Sequence, residues 1–350
     1  MEHKTWQKSK FNYPKTVPTM ISPEEQLYLY WLGRSQWSGE GTVVEIGPWL
    51  GGSTVCLAAG MAASGHETKR RLYVFDNFIW REFMTARAAL SLQPGDSFKS
   101  YFLRNIQEYE EIVEVRERAL PDEPIKHELR ASSRRFLETD RIPLFEGFTN
   151  GESIKILFID GAKSWRGLRY LLKTLCGSLV PGKSYLVCQD YKFWGTYWVP
   201  IMMTRLAQYL EPVHNVLGGS TVSFRLISAI SPQLLEAFED SVLAMPTDQT
   251  LQELDRASAL LRADGDKVGS TNVLLSKVSF LVHQDNIELA IEEFKKIQNS
   301  WPIFADTEHL ERVRAYLYQE KLRRIPRPTT LKLISRLRRI GKNAKIWILR

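Results

Sequence analysis

The sequence predicts an α/β protein: an open, mostly parallel sheet with helices on both faces, closed by an antiparallel hairpin and followed by an all-helical C-terminal extension. Three observations carry this. Residues 42–54, TVVEIGPWLGGST, read as a buried strand, a glycine-rich turn and the start of a helix. Four apolar runs end in an acid, at Glu45, Asp76, Asp160 and Asp190, as parallel strands joined by helical crossovers would place them along one sheet edge. From residue 231 to about residue 324 the apolar spacing is helical throughout.

Taken in order, residues 22–32 (SPEEQLYLYWL) carry Ser22 as cap, Pro23 at the first helical position and acids in the first turn, so a helix leads into the first strand. In residues 42–46 the β-branched Thr42, Val43, Val44 and Ile46 suit a central strand, interrupted by Glu45 near its end. Gly47, Gly51 and Gly52 permit backbone angles and close approaches that a Cβ forbids, and Ser53 and Thr54 are placed to cap the following helix. A nucleotide-like ligand is the reading such a turn favours, with a plain strand-to-helix connection as the alternative. A GxGxxG fingerprint beginning at Gly47 would need glycine where Trp49 stands, which disfavours a nicotinamide or flavin site.

Residues 71–76 (RLYVFD) read as a second strand. Asp76 at its end is placed to accept hydrogen bonds from ribose hydroxyls, or else caps the next loop. Residues 77–153 are less regular, with a helix near 97–109 and a strand near 112–118, and suit an insertion over the substrate. Residues 155–160 (KILFID) and 184–190 (SYLVCQD) are buried strands, separated by a helix through Leu168, Leu171, Leu172 and Leu175. Residues 213–217 and 221–227 flank Gly218 and Gly219 and predict the terminal hairpin.

Composition bounds the rest. The 350 residues carry a net charge of +7, but 13 of the 47 Lys and Arg and only 2 of the 40 acids lie from Glu311 onward. The body before Glu311 is therefore mildly acidic, at −4, and offers no obvious track for nucleic acid. The polar, basic N-terminus argues against a secretory signal, and no run reaches the ~20 apolar residues of a membrane span. Cys56, Cys176 and Cys188 sit in apolar patterns without metal-like spacing, so buried free thiols and a cytoplasmic location are expected. Three regions follow: residues 1–230, a helical extension 231–325 and a basic tail 326–350. In the tail Leu333, Leu337, Ile340 and Trp347 share a helical face that suits either an anionic membrane surface or docking on protein. The sequence is silent on oligomeric state.

With these residues in place, the chain resembles the class I S-adenosylmethionine-dependent methyltransferases. It is most similar to the catechol, caffeoyl-CoA and macrocin-type O-methyltransferases. The resemblance spans residues 22–227 and rests on EIGPWLGGST (45–54), FDNF (75–78), LFIDGAKSW (157–165), VPGKS (180–184) and QDY (189–191). It implies a Rossmann-like seven-stranded methyltransferase sheet. It also implies S-adenosyl-L-methionine bound near Glu45, Gly47, Gly51, Ser53, Asp76 and Asp160, and methyl transfer to a hydroxyl of a sugar or small natural product. Lys163 stands where similar enzymes carry a lysine that deprotonates the acceptor, with Asp160 beside it; a salt bridge from Lys163 to Asp160 or Asp190 is the alternative. Metal-dependent members hold a divalent ion where Asp160 and Asp190 stand, but Tyr191 replaces the expected Asn and Gln189 the first Asp of the macrocin pattern. Mg²⁺ through Asp160 and Asp190 stays open. These departures, with the long C-terminal third, also leave open a catalytically silent interaction or membrane-associated module.

Overall fold

The computed structural model describes residues 5–121, 142–148, 151–300 and 307–324. The basic tail of residues 326–350 lies outside them.

Helix α1 (Pro23–Trp31) starts as expected: Ser22 accepts from the Glu25 backbone N–H, and Glu25 returns a bond to the Ser22 backbone. It leads to β1 (Thr42–Ile46), α2 (Gly52–Ala62), β2 (Leu72–Asp76), the short α3 (Glu82–Thr85) and α4 (Lys99–Asn105), β3 (Val113–Glu117) and β4 (Ile154–Ile159). Then follow α5 (Trp165–Leu175), β5 (Tyr185–Cys188), α6 (Trp198–Arg205), β6 (Leu210–Asn215) and β7 (Val222–Leu226). The sheet order is β3-β2-β1-β4-β5-β7-β6. Its first five strands are parallel, and β7 runs antiparallel between β5 and β6. This is the Rossmann-like methyltransferase fold, with the expected closing hairpin.

Alternation along the strands builds two apolar layers. Val44, Ile46, Leu157, Ile159, Leu186 and Cys188 face one cluster, while Val43, Leu72, Val74, Ile156, Phe158 and Val187 face the other with α1 and α2. The three cysteines are free and buried. Helices α1 and α2 cross closely because Gly60 has no side chain: a Cβ there would lie 2.1 Å from the Tyr30 carbonyl oxygen.

The C-terminal extension comprises α7 (Pro232–Glu236), α8 (Thr247–Ala263), α9 (Lys267–His283), α10 (Ile287–Asn299) and α11 (Thr307–Arg324). Its Leu254, Leu261, Val273, Phe280 and Val313 belong to the same apolar cluster as Leu171, Leu172 and Met202 beside the sheet. No described helix is long and apolar enough to cross a membrane.

A buried polar network joins this extension to the sheet end. Lys192, 3% exposed, donates through Nζ to Asn215 Oδ1 (2.9 Å), the Val216 carbonyl (2.8 Å) and Asp266 Oδ2 (2.9 Å). Asp266 also caps α9 through the Gly269 N–H, at 2.7 Å. Burial pulls the Lys192 pKa down, against the opposing pull of Asp266. Removing one member of such a pair strands the other charge in the interior. Lys192→Met is therefore expected to lower unfolding free energy in urea by about 3–5 kcal/mol, with more than half recovered in Lys192→Met/Asp266→Asn.

Candidate functional site

The carboxyl ends of β1, β2, β4 and β5 open onto one cleft of about 750 Å³. Gly47, Asp76, Asp160, Lys163 and Asp190 line it together. Glu45, Gly51 and Ser53 are not among its lining residues.

Glu45 is fully buried and accepts hydrogen bonds from the hydroxyls of Ser53 and of Thr54, the latter at 2.6 Å. This corrects the expected capping role of Ser53 and Thr54. Helix α2 begins at Gly52 with Gly51 as its cap, in a left-handed conformation with no side-chain hydrogen bond. The two hydroxyls instead satisfy a carboxylate that burial would otherwise leave unpaired. Burial pushes the Glu45 pKa up to about 7, with the Ser53 and Thr54 hydrogen bonds pulling the other way.

Gly47, at φ 84°, is required by a backbone contact: a Cβ there would lie 2.4 Å from Gly161 Cα. The Asp160 and Gly161 N–H groups both donate to the Ile46 carbonyl, at 2.9 and 2.6 Å. This contact holds the ends of β1 and β4 together. Asp76, at the end of β2, accepts from the Phe78 N–H at 2.5 Å. Burial raises its pKa to about 6, against the Phe78 hydrogen bond and the Arg81 charge.

Lys163 Nζ bridges Asp160 Oδ1 (2.7 Å) and Asp190 Oδ2 (3.2 Å), with its side chain 39% exposed. Partial desolvation disfavours its ammonium, but the two carboxylates outweigh it, so its pKa is raised. The lowered pKa expected of a lysine base is thus not found, and the salt-bridge alternative is what forms. The Asp160 pKa is raised by burial, against the Lys163 charge.

Among the described residues no group of three or more His, Cys, Asp and Glu side chains is placed to hold a metal ion. Asp160 and Asp190 already share an ammonium, and Tyr191, at the position of the expected Asn, is buried with Phe224 5.7 Å away, ring to ring. The donor set does not fit a resident divalent ion.

Three residues outside the glycines carry positive φ at this sheet edge: Trp49 (47°), Phe78 (53°) and Asp190 (61°). Backbone strain concentrated in one place marks a site held in shape by its surroundings. Two side chains lining the cleft have a buried polar atom without a hydrogen-bond partner, Trp49 Nε1 and Gln189 Oε1.

The other end of the cleft is walled by the segment after β5 and by α11. Phe193, Thr196 and Trp198 line it with His309 and Arg312. The Phe193 and His309 rings lie 6.1 Å apart, and those of Trp194 and Tyr316 5.5 Å. Sequence reasoning did not single out His309 or Arg312, since no local pattern ties a residue on α11 to a turn more than a hundred positions earlier.

No family model matches the chain, and no curated protein matches it. Among solved structures it is similar to CalS11, a TDP-rhamnose 3′-O-methyltransferase of calicheamicin biosynthesis, at 13% identity and a TM-score of 0.37 over 57% of this chain and 78% of that one. It is also similar to the O-methyltransferase NovP, at 15% identity and a TM-score of 0.36 over 62% and 85%. An O-methyltransferase from Bacillus cereus in complex with SAH gives 17% identity and a TM-score of 0.35 over 62% and 85%.

The buried acid makes stability pH-dependent. The folded pKa of Glu45 lies above its ordinary 4.5, so between about 4.5 and about 7 the folded chain holds a proton that the unfolded chain releases. Its contribution is therefore full below pH 4.5 and lost as pH rises through 7. Urea unfolding of the ligand-free chain should show Glu45→Gln flattening that fall by about 3 kcal/mol relative to the parent.

Proposed function

We propose that the chain is an S-adenosylmethionine-dependent methyltransferase that transfers a methyl group to a hydroxyl of a small molecule, a sugar or natural product. The observation that supports this best is that one cleft gathers Gly47, Asp76 and the Asp160–Lys163–Asp190 cluster at the carboxyl edge of the sheet, where open α/β sheets bind ligands. The residues present fit the cofactor. Asp76 provides carboxylate oxygens for ribose hydroxyls, the Gly47 turn has no side chain to exclude the amino-acid part, and the cleft is large enough for cofactor and acceptor together.

When bound, the cofactor supplies the electrophilic methyl. The protein's share is positioning and charge. Lys163 is an ammonium in the resting site, so it acts first as a donor to the acceptor oxygen, lowering the pKa of that hydroxyl and stabilising the negative charge that develops on it. Asp160 accepts the hydrogen bond of that hydroxyl and, its pKa raised by burial, receives the proton as the new oxygen–carbon bond forms, while Asp190 holds the Lys163 ammonium in place. Lys163 keeps its role as a catalytic residue, with its charge rather than its lone pair at work. No step passes through a metal ion, because the ammonium occupies the place between the two carboxylates.

Calorimetric titration with S-adenosylmethionine, S-adenosylhomocysteine and NAD tests the reading. Micromolar binding of the first two and none of the third is expected, with Asp76→Ala weakening it about tenfold or more. Lys163→Ala should leave cofactor affinity within about twofold while lowering turnover of an acceptor found by screening by about a hundredfold. EDTA or added Mg²⁺ should change that turnover less than about twofold. Absence of cofactor binding would leave the silent interaction module as the reading.

A further inference from the structure

We infer that Arg312 of α11 selects the acceptor: its guanidinium holds an anionic group, a carboxylate or a phosphate, on the same molecule whose hydroxyl lies at Lys163. This rests on the methyltransferase reading above. Among the described residues, five basic side chains and three acidic ones line the cleft, so fixed positive charge is in excess there. Asp160 and Asp190 are both held by Lys163, and Asp76 feels the charge of Arg81. No ion pair joins Arg87, Arg118 or Arg312 to any of these three acids among the described residues. The proposed cofactor brings a sulfonium, an ammonium and one carboxylate, so it adds to the positive charge instead of balancing it. The balancing anion has to come with the acceptor.

Of the three, Arg312 stands at the acceptor end. The Asp190 carbonyl accepts from the Phe193 N–H at 3.0 Å and from the Thr196 hydroxyl at 2.5 Å, which ties that segment to the Lys163 cluster. The Phe193 ring lies 6.1 Å from that of His309, and Arg312 follows three residues later on the same face of α11. Gly47 and Asp76, by contrast, end β1 and β2, on the other side of β4 from β5. Helix α11 is anchored by Leu310, Val313 and Leu317, all buried, so the position of Arg312 is fixed. Its side chain is 42% exposed and pairs with Glu308, itself 68% exposed. An exposed pair one helical turn apart contributes little, so a ligand anion can displace Glu308. The planar guanidinium then meets a carboxylate or phosphate through two parallel hydrogen bonds. Phe193 and Trp198 line the same end and offer an apolar surface to the body of the acceptor.

The test loads the full chain with S-adenosylhomocysteine and compares three probes that share a phenol: neutral 4-hydroxybenzamide, 4-hydroxybenzoate and 4-hydroxyphenyl phosphate. In calorimetry at low salt the unaltered chain is expected to bind at least one of the anions about fivefold or more tighter than the amide, and the tighter anion names the group. Arg312→Gln should shrink that preference to within about twofold while leaving the amide and S-adenosylhomocysteine each within about twofold. Arg312→Lys should restore part of it, since an ammonium supplies the charge without the planar fork. No preference in the unaltered chain would overturn the inference, as would a preference that survives Arg312→Gln. Equal weakening of all three probes would make Arg312 a packing residue and overturn it too. Failure of the unaltered chain to bind S-adenosylhomocysteine would overturn the methyltransferase reading itself, whereas binding of it without an anion preference would overturn only the role given to Arg312.

Discussion

At the carboxyl ends of β1 and β4 the two backbones meet through Gly47 and Gly161, where neither residue has room for a Cβ. The contact draws the Asp160 and Gly161 N–H groups onto the Ile46 carbonyl and sets how far apart the β1 turn and Asp160 can be. Lys163 reaches Asp160 because it follows three residues later, and reaches Asp190 because β5 pairs with β4 on the far side. The Glu45 carboxylate performs the matching task beneath the turn by anchoring the first residues of α2 through two hydroxyls. A substitution at Gly47 would consequently act on the site through main-chain displacement before any ligand is considered.

The helical extension is coupled to this edge rather than appended to the fold. The residues after Asp190 enter a segment whose Lys192 is buried against Asp266 at the start of α9, and whose aromatic side chains meet α9 and α11. Asp190 holds a left-handed backbone angle, and its carbonyl accepts from Phe193 N–H and from the Thr196 hydroxyl. Strain of that kind persists only where surrounding contacts over-determine the conformation. The C-terminal helices supply many of those contacts, and α11 adds His309 and Arg312 to the cleft itself.

Most of the fold was legible because its signals are local and repeated. Apolar runs ending at Asp76, Asp160 and Asp190, the Ser22–Pro23–Glu25 helix start and the glycines before β7 each specify an element without reference to the rest. The gathering of Asp160, Lys163 and Asp190 was legible too, since strands of one parallel sheet end along one edge. What the residues did not disclose were choices between partners. Ser53 and Thr54 suit a helix cap by position, yet a buried carboxylate at Glu45 is the more demanding acceptor and takes both hydroxyls. Lys163 suits a base by position, but its protonation depends on two carboxylates at once, one of them 27 residues away. Trp49 stood out only as a missing glycine, because left-handed backbone and an unpaired indole are properties of three dimensions.

Charge gives the arrangement its logic. Glu45 and Asp76 have their pKa values raised by burial, and Asp160 is raised by burial despite the ammonium beside it, so desolvation dominates at this edge. Lys163 serves the β4–β5 end, and Arg81, Arg87, Arg118 and Arg312 also line the cleft. At the β1 and β2 end burial raises the Asp76 pKa to about 6, against the pull of the Arg81 charge. A ligand with a cationic part is favoured beside Asp76, Asp160 and Asp190, which line the cleft together. The proposed cofactor, with a sulfonium and an ammonium, suits those carboxylates in the sign of its charge.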